Sequence, residues 1–170
     1  MGVVTNLGRA VRGADFFKNR LSIWLALGRG ETPWPDENNP PEEDKTATNV
    51  EEIIGLKLIS TVALVVEDNV NGTIIFEDNK YRILTIKEGY SEQATNLLVK
   101  FIVEPDEFPD QNYRQLGIYV DAIPGDGFHH FSALTSDKFQ TLGQLVFLSN
   151  EIVQIRYPNT RNHYHFVLPQ

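Results

Sequence analysis

The residues best equipped for chemistry are four histidines in two pairs, His129-His130 and His163 with His165. On a strand, positions 163 and 165 project to the same side, so both imidazoles could reach one metal ion. Zinc takes three or four protein ligands, and neither pair has a carboxylate or another histidine spaced to complete that set. Exposed strand positions or interface hydrogen-bonders are expected instead, with no metal and no cofactor. Nucleophilic catalysis also lacks its parts, since cysteine, a Gly-x-Ser-x-Gly elbow and Ser-x-x-Lys are all missing from the sequence. Ser132 near His129 and His130 is a chance neighbour. Glu104 with Asp106, and Glu107 with Asp110, lie in proline-flanked turns, whereas glycosidase acids must face each other across a cleft. Gly125-Asp126-Gly127 lacks the lysine and following helix of a phosphate loop, and Asp121–Gly127 lacks the alternating acids of a calcium loop. The chain reads as a binding protein, not an enzyme.

Any partner must suit an unevenly charged molecule. The 170 residues carry a formal charge of −8 and are 41% apolar, enough for one domain, or one domain with an arm. Residues 1–30 hold Arg9, Arg12, Lys18, Arg20 and Arg29 against Asp15, a net of +4. Residues 31–52 hold eight acids against Lys45, a net of −7. The acidic body disfavours nucleic acid, and Tyr113 and Tyr119 have only Arg114 nearby to support base stacking. A basic piece followed by an acidic strip suits docking on complementary protein patches. The lack of cysteine fits assembly in a reducing cytosol. No apolar run approaches the roughly 20 residues that cross a bilayer. The start lacks a signal-peptide pattern, and Asn6 stands where myristoylation wants Ser or Thr, so no membrane association is expected.

Gly28 to Pro41 is the most distinctive stretch. Prolines at 33, 35, 40 and 41 withhold the backbone donors that helix or sheet pairing needs, and Trp34 sits among them. Such a segment is ordered mainly by lying on something. Trp24, Trp34, Phe16, Phe17 and Phe108 all fall in regions read as arm or loop, and large aromatics outside a core often anchor interfaces. Two readings stand open: the arm reaches a neighbour, or it folds back and Trp34 covers the chain's own core.

The elements around these residues are mostly strands. A short helix is expected around Ala14–Arg20, because Gly8 and Gly13 weaken anything longer. Leu21–Leu27 alternates as a strand, with Leu21, Ile23, Leu25 and Leu27 on one face, and a helix over 14–27 is the competing reading. Thr48 or Asn49 would cap one turn at Val50–Ile54, stopped by Gly55. Strands are expected at Leu56–Glu67, Thr73–Phe76, Tyr81–Ile86, Leu97–Glu104, Tyr113–Ile123, Leu142–Leu148, Ile152–Tyr157 and Tyr164–Leu168. Lys87–Asn96 reads as polar loop or one helical turn, and 128–140 is ambiguous. The fold class is mainly β, an antiparallel β-sandwich or barrel-like domain with an extended N-terminal arm and short helices. The division expected is an arm over 1–48 and a sandwich over 49–170.

Three motifs carry a resemblance. Leu25-Ala26-Leu27-Gly28-Arg29-Gly30-Glu31-Thr32-Pro33-Trp34-Pro35 with Pro40-Pro41 is the first. Tyr113-Arg114-Gln115-Leu116-Gly117-Ile118-Tyr119 is the second. The third runs Gly143-Gln144-Leu145-Val146-Phe147-Leu148-Ser149-Asn150, then Ile155-Arg156 and Tyr164-His165-Phe166-Val167-Leu168. In this order they resemble baseplate wedge proteins of contractile-tailed bacteriophages, in a compact form without the long insertions of larger members. The resemblance implies a β-sandwich-type body, a structural role in the wedges around the central hub, a virion location after assembly in the host cytoplasm, and no catalytic residues. It also implies that the partners are other wedge and hub proteins, with self-association as a dimer or as several copies in a ring. The candidate partner-binding residues are Trp24, Arg29, Trp34, Pro35, Pro40 and Pro41 from the arm and Arg114 from the second motif. The chain would transmit conformational change on contraction. Rival readings are a head–tail connector or tail-completion protein and, from another class, a carbohydrate-binding module or small tail-associated hydrolase.

Overall fold

The computed structural model describes residues 2–30 and 34–170. Its elements, in chain order, begin with α1 (Asn6–Lys18), β1 (Trp24–Gly28), β2 (Ile53–Leu58), β3 (Thr61–Glu67), β4 (Ile74–Phe76) and β5 (Asn79–Leu84). They continue with α2 (Ile86–Ser91), β6 (Asn96–Val103), β7 (Asn112–Val120), β8 (Ile123–Pro124), β9 (Ala133–Leu134), β10 (Phe139–Thr141), β11 (Gln144–Ile155) and β12 (Asn162–Pro169). The fold is mainly β with short helices, as the spacing of turn residues predicts. No helix among the described residues is long and apolar enough to cross a membrane.

The chain forms two compact units, each drawn from separated stretches: residues 1–20, 59–101 and 163–170 in one, residues 21–58 and 102–162 in the other. The first holds α1, α2 and a five-stranded sheet in the order β12-β6-β3-β5-β4. Its edges come together where His165 on β12 donates from Nε2 to the Ile75 carbonyl of β4 at 2.8 Å. The sheet is therefore nearly closed, like a barrel. Val65, Tyr81, Leu98 and Val167 pack its interior against Ile74 and Phe76. α1 starts earlier than expected because Thr5 caps it, its hydroxyl accepting from the Gly8 amide at 3.0 Å. Gly13 does not break this helix but lets it approach β3, since a Cβ there would sit 2.6 Å from Leu64 Cδ2. The close approach offsets its weak helix propensity.

The second unit is built on a five-stranded sheet in the order β11-β7-β1-β2-β9, with a small β8–β10 pair. β1 pairs antiparallel with both β2 and β7, and all five of its residues are buried. A central strand covered on both faces needs no polar alternation, so the one-sided pattern expected from Leu21 does not hold and the strand begins at Trp24. The stretch expected to be one strand over Leu56–Glu67 breaks at Ile59-Ser60, where β2 ends in one unit and β3 begins in the other. Gly55 stops no turn, because it lies inside β2 beneath the Phe108 ring. Ser149-Asn150-Glu151 is not a turn either, for β11 runs through it as one strand with register shifts at Leu145/Phe147 and Asn150/Gln154. Bulges absorb what a turn signal suggested. Trp24, Val50, Leu56, Tyr119 and Leu134 anchor the core of this unit.

Candidate functional site

Residues 34–52 contain neither helix nor strand, yet they are strapped to the second unit by side chains. The fastening starts at β7, where Arg114 is buried at 3% exposure. Its Nε donates to the Arg29 carbonyl at 2.8 Å, and its Nη1 donates to Glu37 Oε2 at 2.6 Å. Its guanidinium carbon lies 3.9 Å from the centroid of the Trp34 ring. Planar stacking, a fork of donors and a fixed charge are uses that lysine could not serve. Gly30 is needed at the entry. Its φ is +76°, and a Cβ would come within 2.9 Å of Arg114 Nε and 3.1 Å of the Trp34 ring.

Further along, Asn150 of β11 grips the strap twice. Its backbone amide donates to Glu43 Oε1 at 2.9 Å, and its Nδ2 donates to the Pro41 carbonyl at 3.0 Å. Gln115 on β7 orients that asparagine, donating from Nε2 to Asn150 Oδ1 at 2.9 Å while accepting from the Glu51 amide at 2.7 Å. Asp44 makes a local turn by accepting from the Thr46 amide and hydroxyl, and the Thr46 hydrogen bonds hold its carboxyl below the usual carboxylate range. At the far end the Val50 amide donates to the buried Tyr119 hydroxyl at 2.8 Å. The strap is thus held by side chains from Trp34 to Val50, and backbone bonds join it only at its far end, where the Arg29 and Gly30 amides donate to the Glu52 and Glu51 carbonyls at 3.1 and 3.3 Å.

Tyr119 yields two expected results. Burial pushes its phenol above the ordinary pKa of 10.0. Below about pH 10 the group is protonated in both folded and unfolded chains and stability does not depend on it. As pH rises further, the unfolded phenol ionises first, so stability falls. Thermal melts from about pH 8 to 11 should show this loss, flattened in Tyr119→Phe. At neutral pH the same substitution strands the Val50 amide and should cost about 1–2 kcal/mol in urea denaturation.

The sequence-derived candidates separate on this geometry. Trp34, Arg114 and the Arg29 carbonyl are brought together, with Pro40 half-buried and Pro35 and Pro41 exposed along the strap. The Arg29 side chain is exposed and bonds Gln111. Trp24 lies apart from them in the core at 1% exposure, edge-on to Phe139 at 4.9 Å. Glu31, Thr32 and Pro33, which the arm reading includes, lie outside the described residues. Sequence reasoning passed over Glu37, Glu43, Gln115 and Asn150. A glutamine inside an apolar strand motif was the available signal, because a buried amide must find partners.

His129 and His130 are exposed, and the latter stacks on Phe131 with 5.7 Å between centroids. His165 is committed to Ile75, and no group of three or more metal-ligating side chains gathers among the described residues. Glu107 pairs with Lys57, its Oε2 2.8 Å from Nζ, and Glu104 pairs with Arg161 at 2.9 Å. These turn acids hold loops.

The described residues thus form a two-unit, mainly β protein in which side chains of β7 and β11 clasp an extended segment. The family comparison narrows this. The whole chain, residues 1–170, matches the model for the baseplate wedge 3 tail fiber network component, and the chain belongs to that family. It is also 30% identical over 161 residues to Virion protein 3 of Enterococcus phage phiEF24C, covering 92% of this chain and 88% of that protein. It is accordingly a structural baseplate protein of a phage virion.

Proposed function

We propose that the protein is a non-catalytic wedge subunit that uses its strapped face to bind neighbouring wedge and hub proteins and passes on conformational change when the tail contracts. The carrying observation is the clasp, in which residues 34–50 are held by side chains and backbone bonds to Arg29 and Gly30 begin only at Glu51 and Glu52. Attachments of that kind can be exchanged for a partner's without dismantling the sheet. In this reading Arg29, Pro35 and Pro41, with exposed surface, meet the partner. Trp34 and Pro40 shape the strap, while Arg114 and Trp24 hold it and its sheet from below. The arm therefore works through residues 34–48, since β1 within the 1–48 segment is central to its sheet. Several copies, as a dimer or ring, would add modest contacts through effective concentration.

The test is co-expression of the full chain with each neighbouring tail protein, followed by mass measurement of the complex. Replacing residues 35–47 by a Gly/Ser segment of equal length leaves β1, Trp34 and Val50 in place. This variant should fold, with its strand content unchanged by circular dichroism, yet no longer enter the complex. Undiminished assembly would defeat the proposal.

A further inference from the structure

β11 is a strand of 12 residues at the edge of its sheet, and among the described residues its only strand partner is β7. Natural proteins blunt such edges with charge or proline, but residues 144–155 carry one charged side chain, Glu151, which accepts from Ser149 Oγ. At the first register shift Val146 is the extra residue and stands 47% exposed. The Asn150 amide, bonded to Glu43 of the strap, points away from β7. By strand alternation Leu148 presents its amide and carbonyl to that same outer side. There the strap stands off from the strand, leaving a cavity of about 310 Å³ between Glu43, Asp44, Lys45 and Ala47 on one wall and Leu145–Leu148 on the other. Beyond Asn150 the same strand leaves Ile152, Val153 and Ile155 exposed.

We propose that this edge accepts an extended strand from a neighbouring polypeptide, one that alternates apolar and basic side chains. The outward backbone groups of Leu148, on the cavity side of the Asn150 clasp, would pair with it by β-augmentation, and Val146 would receive its apolar side. The basic side is set by the opposite wall. That wall carries Glu43 and Asp44 against Lys45, and the strap around it is acidic, with seven carboxylates over residues 36–52 of which Glu37 is taken up by Arg114. Complementary charge selects the partner and speeds encounter. The inference rests on the assembly reading only in taking the ligand to be another subunit's strand.

Amide hydrogen exchange on the full chain tests it, with the peptide acetyl-Lys-Val-Lys-Val-Lys-Val-Lys-amide as probe. The expected result is roughly tenfold slower exchange across Leu145–Leu148, relieved by high salt. A glutamate-for-lysine twin and a twin N-methylated at each valine should have no effect, since one lacks the charge and the other the donors. Val146→Lys, at an exposed position, should abolish protection by the basic peptide while leaving the melting temperature unchanged. If that variant fails to fold, the two twin peptides on the unaltered chain still decide the matter. No protection, or equal protection by the N-methylated twin, overturns the proposal. Protection that rises with protein concentration alone would assign the edge to a second copy and also overturn it. None of these outcomes touches the wedge role, which co-assembly decides separately.

Discussion

Arg156→Ala should lower the stability of the second unit by about 3–5 kcal/mol. The guanidinium is completely buried, at 0% exposure, and bonds to backbone and amide oxygens from two loops. Nη1 donates to the Thr160 carbonyl at 3.0 Å and to Asn162 Oδ1. Nη2 donates to the carbonyls of Glu104 at 2.7 Å and Glu107 at 2.9 Å. Truncation leaves those four oxygens without this donor, together with a cavity. The loop it holds is already costly, because Phe108 and Asp110 have φ of 49° and 59°. In urea the unfolding midpoint should fall by roughly 2 M, taking a slope near 2 kcal/mol/M. Arg156→Lys should recover only part of this, because an ammonium cannot span both loops. A midpoint unchanged in the alanine variant would show that the oxygens find other donors and that the guanidinium does not tie these loops.

Arg114→Ala should cost about 3 kcal/mol, and its effect should be concentrated on the strap. The hydrogen bond from a buried charged donor to the Arg29 carbonyl contributes about 1.5–3 kcal/mol, and the face-on contact with Trp34 about 1–2 kcal/mol. The Glu37 ion pair adds little, since the Glu37 side chain is 55% exposed and screened. Limited proteolysis should cut within residues 34–48 faster than the drop in global stability explains. Trp34→Ala should reproduce the faster cleavage with a smaller global loss. Equal cleavage in wild type and variant would mean that Asn150 and Tyr119 suffice to hold the segment.

Legibility tracked the range of the interaction responsible. Proline density and the strand–turn rhythm are local facts, and they led to the mainly β fold with short helices that the structure has. The open choice over the arm was between reaching out and folding back, and residues 34–52 fold back along their own sheet. Trp24 was misjudged as peripheral because its burial depends on β2 and β7, which come from distant sequence and flank it on both sides. Ser149-Asn150-Glu151 carries turn-forming residues, yet Asn150 is spent on Gln115, Glu43 and Pro41, so the strand continues. Gly13 reads as a helix breaker until Leu64 is placed against it.

By itself the sequence determined that backbone donors are missing around Pro35 and Pro40-Pro41, that charge is split between a basic start and an acidic strip, and that β-branched runs must pair. These follow from side-chain chemistry and need no partner. Only tertiary structure decided what those runs pair with, which arginines are buried, and that Trp34 meets Arg114 from 80 residues away in sequence. Burial and hydrogen-bond satisfaction are properties of surroundings, and surroundings exist only once the chain has closed on itself.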